Sequence, residues 1–437
     1  MHKFAIFLVS FLFVCGLCFG KEVTIDLGRK LTLEDCISIA KRYNPDILEA
    51  RQNMRVGGAN LQSSLSRFMP QVGFGGRYNR VEYPGQTWVS PDGRITNQRE
   101  TYSVGFSLYQ KIFDLGNLAN IVKSNAYRRV YKQEYWVTES NVIFEIVRSY
   151  YTLVKQKKLL DAKLKKLEES KQRVEQVKAM SDLGTISKVE LLQAKVSLSQ
   201  SKLDVLQAEK ELELAKSNLL VKMGLAPTTQ IDIEDSLSEA VDSVPALDSL
   251  LNKAYKNRPE IKKYKSMISA CHAELNSAFS SYLPEIYLSG SYSYFGEQFP
   301  RERTLWSEEG SWNIGIILSF PILTGWSRSS QIDVARANMV IAENELRETK
   351  LNIGLEVKDA WLSLKEAIER LSLTKIALDE AEQVYQLVKE KFALGAVSMI
   401  ELLNAEATLS SSQASRIEAL ADYEIAKVRL KLAAGTY

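Results

Sequence analysis

The chain has 437 residues, 45% hydrophobic and 25% charged, a balance that excludes a disordered or low-complexity protein. Its 56 Lys and Arg against 53 Asp and Glu leave a net charge of +3, too small for the basic footprint of a nucleic-acid binder. The two histidines are His2 and His272, and one histidine in the body of the chain builds neither a zinc site nor a Ser-His-Asp arrangement.

At the N-terminus Lys3 precedes an apolar run from Phe4 to Phe19, followed by Gly20, Lys21 and Glu22. A positive start, an apolar middle and a small residue before the cut describe a secretory signal peptide over residues 1–20, cleaved after Gly20. The rival lipoprotein cut needs small residues just before the modified cysteine, whereas Val14 precedes Cys15 and Leu17 precedes Cys18. Cleavage leaves Cys36 and Cys271. They either form one disulfide, as an exported chain permits, or sit apart as small apolar residues on helices, which is the preferred reading. No later run is apolar and long enough for a spanning helix, so any membrane crossing must use strands.

A first helix is expected from Leu33 to Met69, ended by Pro70. Strands follow at about 71–80 and 101–110, joined by a polar loop, and then a proline-free helix from Gly116 to Asp182, roughly 100 Å long at the helical rise. After Leu183-Gly184-Thr185 a second helix carries Leu191, Leu198, Val205, Leu212 and Leu219 in heptad spacing, with Ala194, Ser201, Ala208 and Ala215 as small partners. This is a coiled-coil seam whose small residues let helices approach closely. The acidic stretch from Leu225 to Pro245, with Pro227, Glu234, Asp235, Glu239 and Asp242, reads as a connector.

The order then repeats: a helix from Leu247 to Leu283, strands at about 285–295 and 311–320, a long helix from Gly325 to Leu394, a Gly-containing turn, and a seam through Ala405, Ser412, Ala419, Ala426 and Ala433. Asn44-Pro45-Asp46-Ile47 matches Arg258-Pro259-Glu260-Ile261, and Pro70 matches Pro284, both at an offset of 214 residues. Gly184 and Gly395, like Gly224 and Gly435, are offset by 211. The chain is a duplicated unit, read as repeats over 21–225 and 246–437 with the connector at 226–245.

Each strand alternates. Val72, Phe74 and Tyr78 face one way and Gly73, Gly75, Arg77 and Asn79 the other; Ile286, Leu288, Tyr292 and Tyr294 alternate with Ser289, Ser291 and Ser293. About ten residues is the length a tilted strand needs to cross a bilayer. The same pattern suits a half-buried sheet in a soluble domain; the signal peptide and Tyr83, Trp88, Phe295 and Trp306 near the loops favour the membrane. Four strands cannot close a barrel, and open edges are not tolerated in lipid. The strands must be pooled, eight from two copies or twelve from three. Heptads alone favour an ordinary antiparallel coiled coil; the case for a tunnel rests on combining helices with pooled strands.

From Leu31 to Gly435 this arrangement resembles the TolC-like outer-membrane efflux family. The resemblance is carried by the two Gly-containing turns and by the strand-to-helix junctions Leu108-Tyr109-Gln110-Lys111-Ile112-Phe113-Asp114 and Ser319-Phe320-Pro321-Ile322-Leu323-Thr324-Gly325. Proline is usual at these junctions; Pro321 keeps it and Lys111 departs from it. The resemblance implies a mainly α protein with a transmembrane β-barrel part, pooled in a homotrimer to twelve strands in outer-membrane lipid and a tunnel of twelve helices in the periplasm. It implies a passive conduit without cofactor, metal or catalysis, working with a periplasmic adaptor and an inner-membrane pump. It places adaptor docking at the helix tips, on Leu183, Gly184, Thr185, Leu394, Gly395 and Ala396. It places the periplasmic gate at Glu401 and Asn404, where an aspartate is familiar at the second position, and puts Glu190 on the outer wall. The plain alternatives are that the glycines only permit tight turns and that Glu401 is a solvated surface charge. The rival function is a non-channel coiled-coil adaptor, which four membrane-length strands in duplicated positions do not fit.

Overall fold

The computed structural model describes residues 29–436 apart from 92, 236, 238–239, 242–243, 302–305 and 307–309. The expected signal peptide, Glu239 and Asp242 lie outside the described residues. The elements are α1 (Leu33–Tyr43), α2 (Pro45–Ser66), β1 (Gln71–Glu82), β2 (Trp88–Val89), β3 (Ile95–Thr96), β4 (Gln98–Phe113), α3 (Leu115–Asp182), α4 (Lys188–Met223), α5 (Leu247–Asn257), α6 (Pro259–Ser280), β5 (Glu285–Gly296), β6 (Gly310–Ser319), α7 (Ser327–Ala393) and α8 (Met399–Ala433). No helix among the described residues is long and apolar enough to cross a membrane.

The four long strands form one antiparallel sheet in the order β1-β4-β5-β6, and β2 and β3 make a small hairpin in the first loop. The register sorts the side chains by face. Val72 lies opposite Leu108, Phe74 opposite Phe106, and Tyr78 opposite Tyr102; Tyr292 lies opposite Trp312 and Leu288 opposite Ile316. On the other face Gly75 meets Gly105, Gly105 meets Ser293 and Ser291 meets Asn313. One face is therefore apolar and the other small and polar. Most of the apolar face is uncovered, with Phe74 66% exposed, Trp312 77% and Ile316 70%, but at its loop end Trp306 and Phe299 pack on Tyr292, Tyr294 and Tyr102, and Tyr294 is buried. Aromatic pairs Phe74–Phe106, nearer the helix end of β1, and Tyr78–Tyr102, nearer its loop end, with ring centroids 4.9 and 5.0 Å apart, line the apolar face. Just beyond the tyrosines the Arg80–Glu100 ion pair, at 3.7 Å, marks the return to water. An apolar band with an aromatic girdle is the lipid-facing surface of an outer-membrane barrel.

The helices repeat the sheet's order. Next to the sheet, α3 lies between α2 and α6, and α6 lies against α7; at the far end α4 packs on α3, α3 on α8 and α8 on α7. Of the small residues in the α4 seam Ala194, Ser201 and Ala208 are buried, along with Val205 and Leu219, while Ala215 is half-buried; Ser170 of α3 and Ser201 share a 3.0 Å hydrogen bond.

The expected first helices, Leu33 to Met69 and Leu247 to Leu283, are each broken in two. Asn44 and Arg258 have extended ψ angles of 126° and 128°, because a residue before proline is pushed out of the helical region. Proline then starts α2 and α6 at a position where no N–H is needed. These breaks are half of a joint. The Asn44 side-chain oxygen caps α2, accepting from the Asp46 and Ile47 amides at 2.9 and 3.2 Å, while its amide donates to the Lys222 carbonyl at the end of α4 at 2.8 Å. Gly224, with φ +82°, ends α4 so close that a Cβ would lie 2.2 Å from the Tyr43 carbonyl oxygen. In the second unit Arg258 donates to the Ala433 carbonyl at 3.3 Å, is ion-paired with Glu260 at 2.6 Å and Glu356 at 2.9 Å, and Gly435 closes α8 against Asn257. So α4 ends on the start of α2, and α8 on the start of α6.

The connector lies across the outside of this joint level. Leu31 pairs in parallel with Ile233, which is buried with Ile231. Asp232 and Asp235 pair with Lys157 at 3.3 and 3.5 Å, Tyr150 donates to the Glu234 carbonyl, and Trp361 to that of Pro245. Cys36 and Cys271 are free and buried; burial pushes the Cys36 thiol up to about 12, which keeps it inert.

The joint predicts an asymmetry between two glycines of like backbone. Gly184, at φ +69°, has open space where a Cβ would go, so Gly184→Ala should cost only the left-handed strain of about 1–2 kcal/mol. Gly224→Ala adds a backbone collision and should lower the thermal midpoint of the detergent-solubilised protein clearly further. Equal midpoints for the two variants would contradict the joint.

Candidate functional site

The two hairpin turns share one construction. Leu183 caps α3, Gly184 takes the left-handed conformation, and the Thr185 amide donates back to the Met180 carbonyl at 3.0 Å. In the second turn Gly395 has φ +71° and the Ala396 amide donates to the Lys391 carbonyl at 2.9 Å. Both are helix ends that need glycine for its positive φ. The next helices start on Ser187 and Ser398, whose hydroxyls each accept from the amide three residues on, at 3.3 Å.

The third helical residues then differ. Glu190 returns its carboxylate to the Ser187 amide at 2.9 Å, completing a capping box. Glu401 makes no such return, and among the described residues its exposed carboxylate has no partner. Two glutamates that look equivalent in the repeat therefore have different employments: one holds its own helix start, the other is left exposed and uncapped.

The turns lie at the same end, clamped by a shared core in which Val177 and Ala194 of the first hairpin meet Tyr385, Phe392, Met399, Leu402 and Ala405 of the second. Beyond that core Leu183 and Leu394 project with 79% and 84% of their surface exposed, and no neighbouring atom fills the space at Gly184 or Gly395. The six expected docking residues are thus brought together on one exposed tip. Asn404, on the first turns of α8, lines a groove of about 550 Å³ between α4 and α8, walled by Val189, Leu192, Val196, Ile400 and Leu403. Glu401 stands outside that groove.

At the inner wall of that groove, where Glu406 also lines it, is an interaction that the repeats do not display. Arg173 of α3 and Glu406 of α8 are ion-paired at 8% and 4% side-chain exposure, and Tyr385 of α7 bonds the same guanidinium. Three helices from both units are tied there. The second Glu406 oxygen has no hydrogen-bond partner among the described residues. The available sequence signal was the spacing Ser170, Arg173, Val177, which puts an arginine on a buried seam. At the other end of the wall Lys111, the residue standing where proline is usual, reaches Asp114 at 2.5 Å and Glu285 at 3.6 Å. Asp114 in turn caps α3 by accepting from the Asn117 amide at 2.9 Å.

Removing one partner of a buried pair strands the other charge, at a cost of about 3–5 kcal/mol. Arg173→Met should accordingly loosen the tip, read as faster protease cleavage below the joint, and Arg173→Met with Glu406→Gln should recover most of the loss. Additive damage in the double variant would show that the two side chains are not coupled.

The family profile described as outer membrane efflux protein matches residues 36–225 and 250–436. Outer membrane protein TolC of Vibrio cholerae is 18% identical over 405 residues, covering 92% of this chain and 90% of its own. Outer membrane efflux protein BepC of Brucella suis is 22% identical over 425 residues, covering 95% and 88%. Among solved structures, the Campylobacter jejuni CmeC outer membrane channel superposes with a TM-score of 0.81 at 18% identity, over 92% of this chain and 85% of that one. The outer membrane protein VceC of Vibrio cholerae gives 0.76 at 16%, over 92% and 96%. With both of its halves matched, the chain belongs to the outer membrane efflux protein family.

Proposed function

We propose that three copies of this chain form an outer-membrane conduit that passively conducts cargo across the outer membrane and periplasm. The observation that carries this reading is the uncovered sheet. Its apolar face is bare except at the loop end, its polar face is lined by glycine and serine, and both edge strands lack partners on one side. Pooling three sheets gives twelve strands, and the helices, ordered like the strands, continue the wall as a tunnel of twelve. The chain divides into a signal peptide at 1–20, repeats at 21–225 and 246–437, and a connector at 226–245 that belts the wall. It acts as a duct and not as an enzyme.

The tips carry the partner contacts in this reading. Leu183, Gly184, Thr185, Leu394, Gly395 and Ala396 meet a periplasmic adaptor joined to an inner-membrane pump. Bare leucines on a turn and an apolar groove beside them support this, since apolar surface rimmed by polar residues marks protein contact. Glu401, free of the cap that occupies Glu190, contributes one carboxylate per copy to a ring that narrows the tunnel and favours cations, with Asn404 one turn further along. Opening is an outward splay of the tips.

Cysteines at Leu183 and Leu394, crosslinked between neighbouring tips of the purified protein in planar bilayers, should abolish the step conductance of the wild type, and reduction should restore it. Undiminished conductance with the crosslinks fully formed contradicts the splaying gate; a wild type that never conducts contradicts the duct.

A further inference from the structure

We propose that Arg77 forms a fixed positive ring at the exit of the barrel and that this ring favours anionic solutes over cations. The inference rests on the three-copy barrel reading above. Its basis is the register. Arg77 lies opposite Ser103, and the next residue, Tyr78, lies opposite Tyr102. Side chains alternate along a strand, so Arg77 stands on the small polar face at the level of the outer aromatic band. That face turns to the lumen when the apolar face meets lipid.

The other described charges on this face are engaged in ion pairs, although at the inner rim, about 26 Å along the strand from Arg77, the two carboxylates outnumber the lysine by one per copy. Arg99 is paired with Glu297 at 2.9 Å, near the outer rim, and Lys111 with Asp114 and Glu285 at the inner one. Arg77 has no ion pair or hydrogen bond among the described residues. Its neighbours along the face are Gly75 and Asn79, too short to cover it and without charge. The unpaired side of β1 must meet β6 of the next copy. Alternation puts Ser311, Asn313 and Gly315 of β6 on the lumen face, so no carboxylate of that strand reaches Arg77 in any register. Among the described residues nothing pairs with this charge.

Three guanidinium groups then share one level of the lumen. Their field extends about 10 Å at 0.1 M salt and about 30 Å at 0.01 M, enough to fill the lumen in dilute solution. The carboxylates at Glu401 lie a long helix away, roughly 100 Å, and cannot cancel it. The conduit is thus negative where cargo enters and positive where it leaves. A cationic solute is drawn in and then repelled at the exit, whereas an anionic one is helped out.

The test is the reversal potential of the purified full-length protein in planar bilayers under a dilute KCl gradient. Arg77→Gln should shift it toward potassium, Arg77→Lys should keep the wild-type value, and Glu401→Gln should shift it the other way. In 1 M KCl, where screening shortens to about 3 Å, the Arg77→Gln shift should vanish. Identical wild-type and Arg77→Gln potentials in dilute salt would overturn the ring, as would a shift that persists in 1 M KCl, which would report altered pore shape. A wild type that forms no channels overturns the barrel reading itself, separately from the role of Arg77.

Discussion

The outward backbone groups of β1 and β6 govern everything else in this molecule. In an antiparallel sheet every second residue of an edge strand points its N–H and C=O away from the sheet. β1 has 12 residues and β6 has 10, so each edge offers roughly five or six such residues. In lipid each unsatisfied group costs several kcal/mol. The apolar face demands lipid and the edges forbid it while the chain is alone. Both demands are met when β6 of one copy pairs with β1 of the next and the circle closes. The helices inherit the solution, because each strand's order in the sheet is the order of the helix it feeds, and a closed barrel continues into a closed wall.

Duplication makes that wall economical. Each unit supplies one helix that runs the full length, α3 or α7, and one full-length column built from two shorter pieces, α4 with α2 or α8 with α6. The pieces meet at joints where a helix end carrying spare carbonyls abuts a helix start carrying spare amides. Asn44 serves both sides at once, and Arg258 does the equivalent work with carboxylate partners in the second unit. The same level receives the connector, so the joints are braced from outside. Far below, Arg173, Glu406 and Tyr385 tie the two units together just above the tips.

Much of this was legible in the sequence because the governing signals are periodic. The period-two alternation around Phe74 and Trp312 placed the strands within a few residues, and the heptad of small residues through Ala194 and Ser201 placed the seam. The turns at Gly184 and Gly395 were legible because positive φ leaves few alternatives to glycine. The break at Asn44-Pro45 was read through as continuous helix, although proline at a helix start and the residue before it carry the signal for a boundary; the helical periodicity on both sides hid it. The partnership of Asn44 with Gly224 was not legible, since it joins positions 180 residues apart that only the hairpin brings together. Glu190 and Glu401 show the limit of the repeat as a guide: equivalent by position, they differ in whether the carboxylate is taken by its own cap. Lys111 shows the reverse, a departure from the family's pattern explained by its bonds to Asp114 and Glu285.

The account turns on pooled sheets, and the most direct measurement is the native mass of the protein extracted in detergent from purified outer membranes. It predicts a single species of three copies in that fraction. A monomer, released with the soluble periplasm, would contradict it.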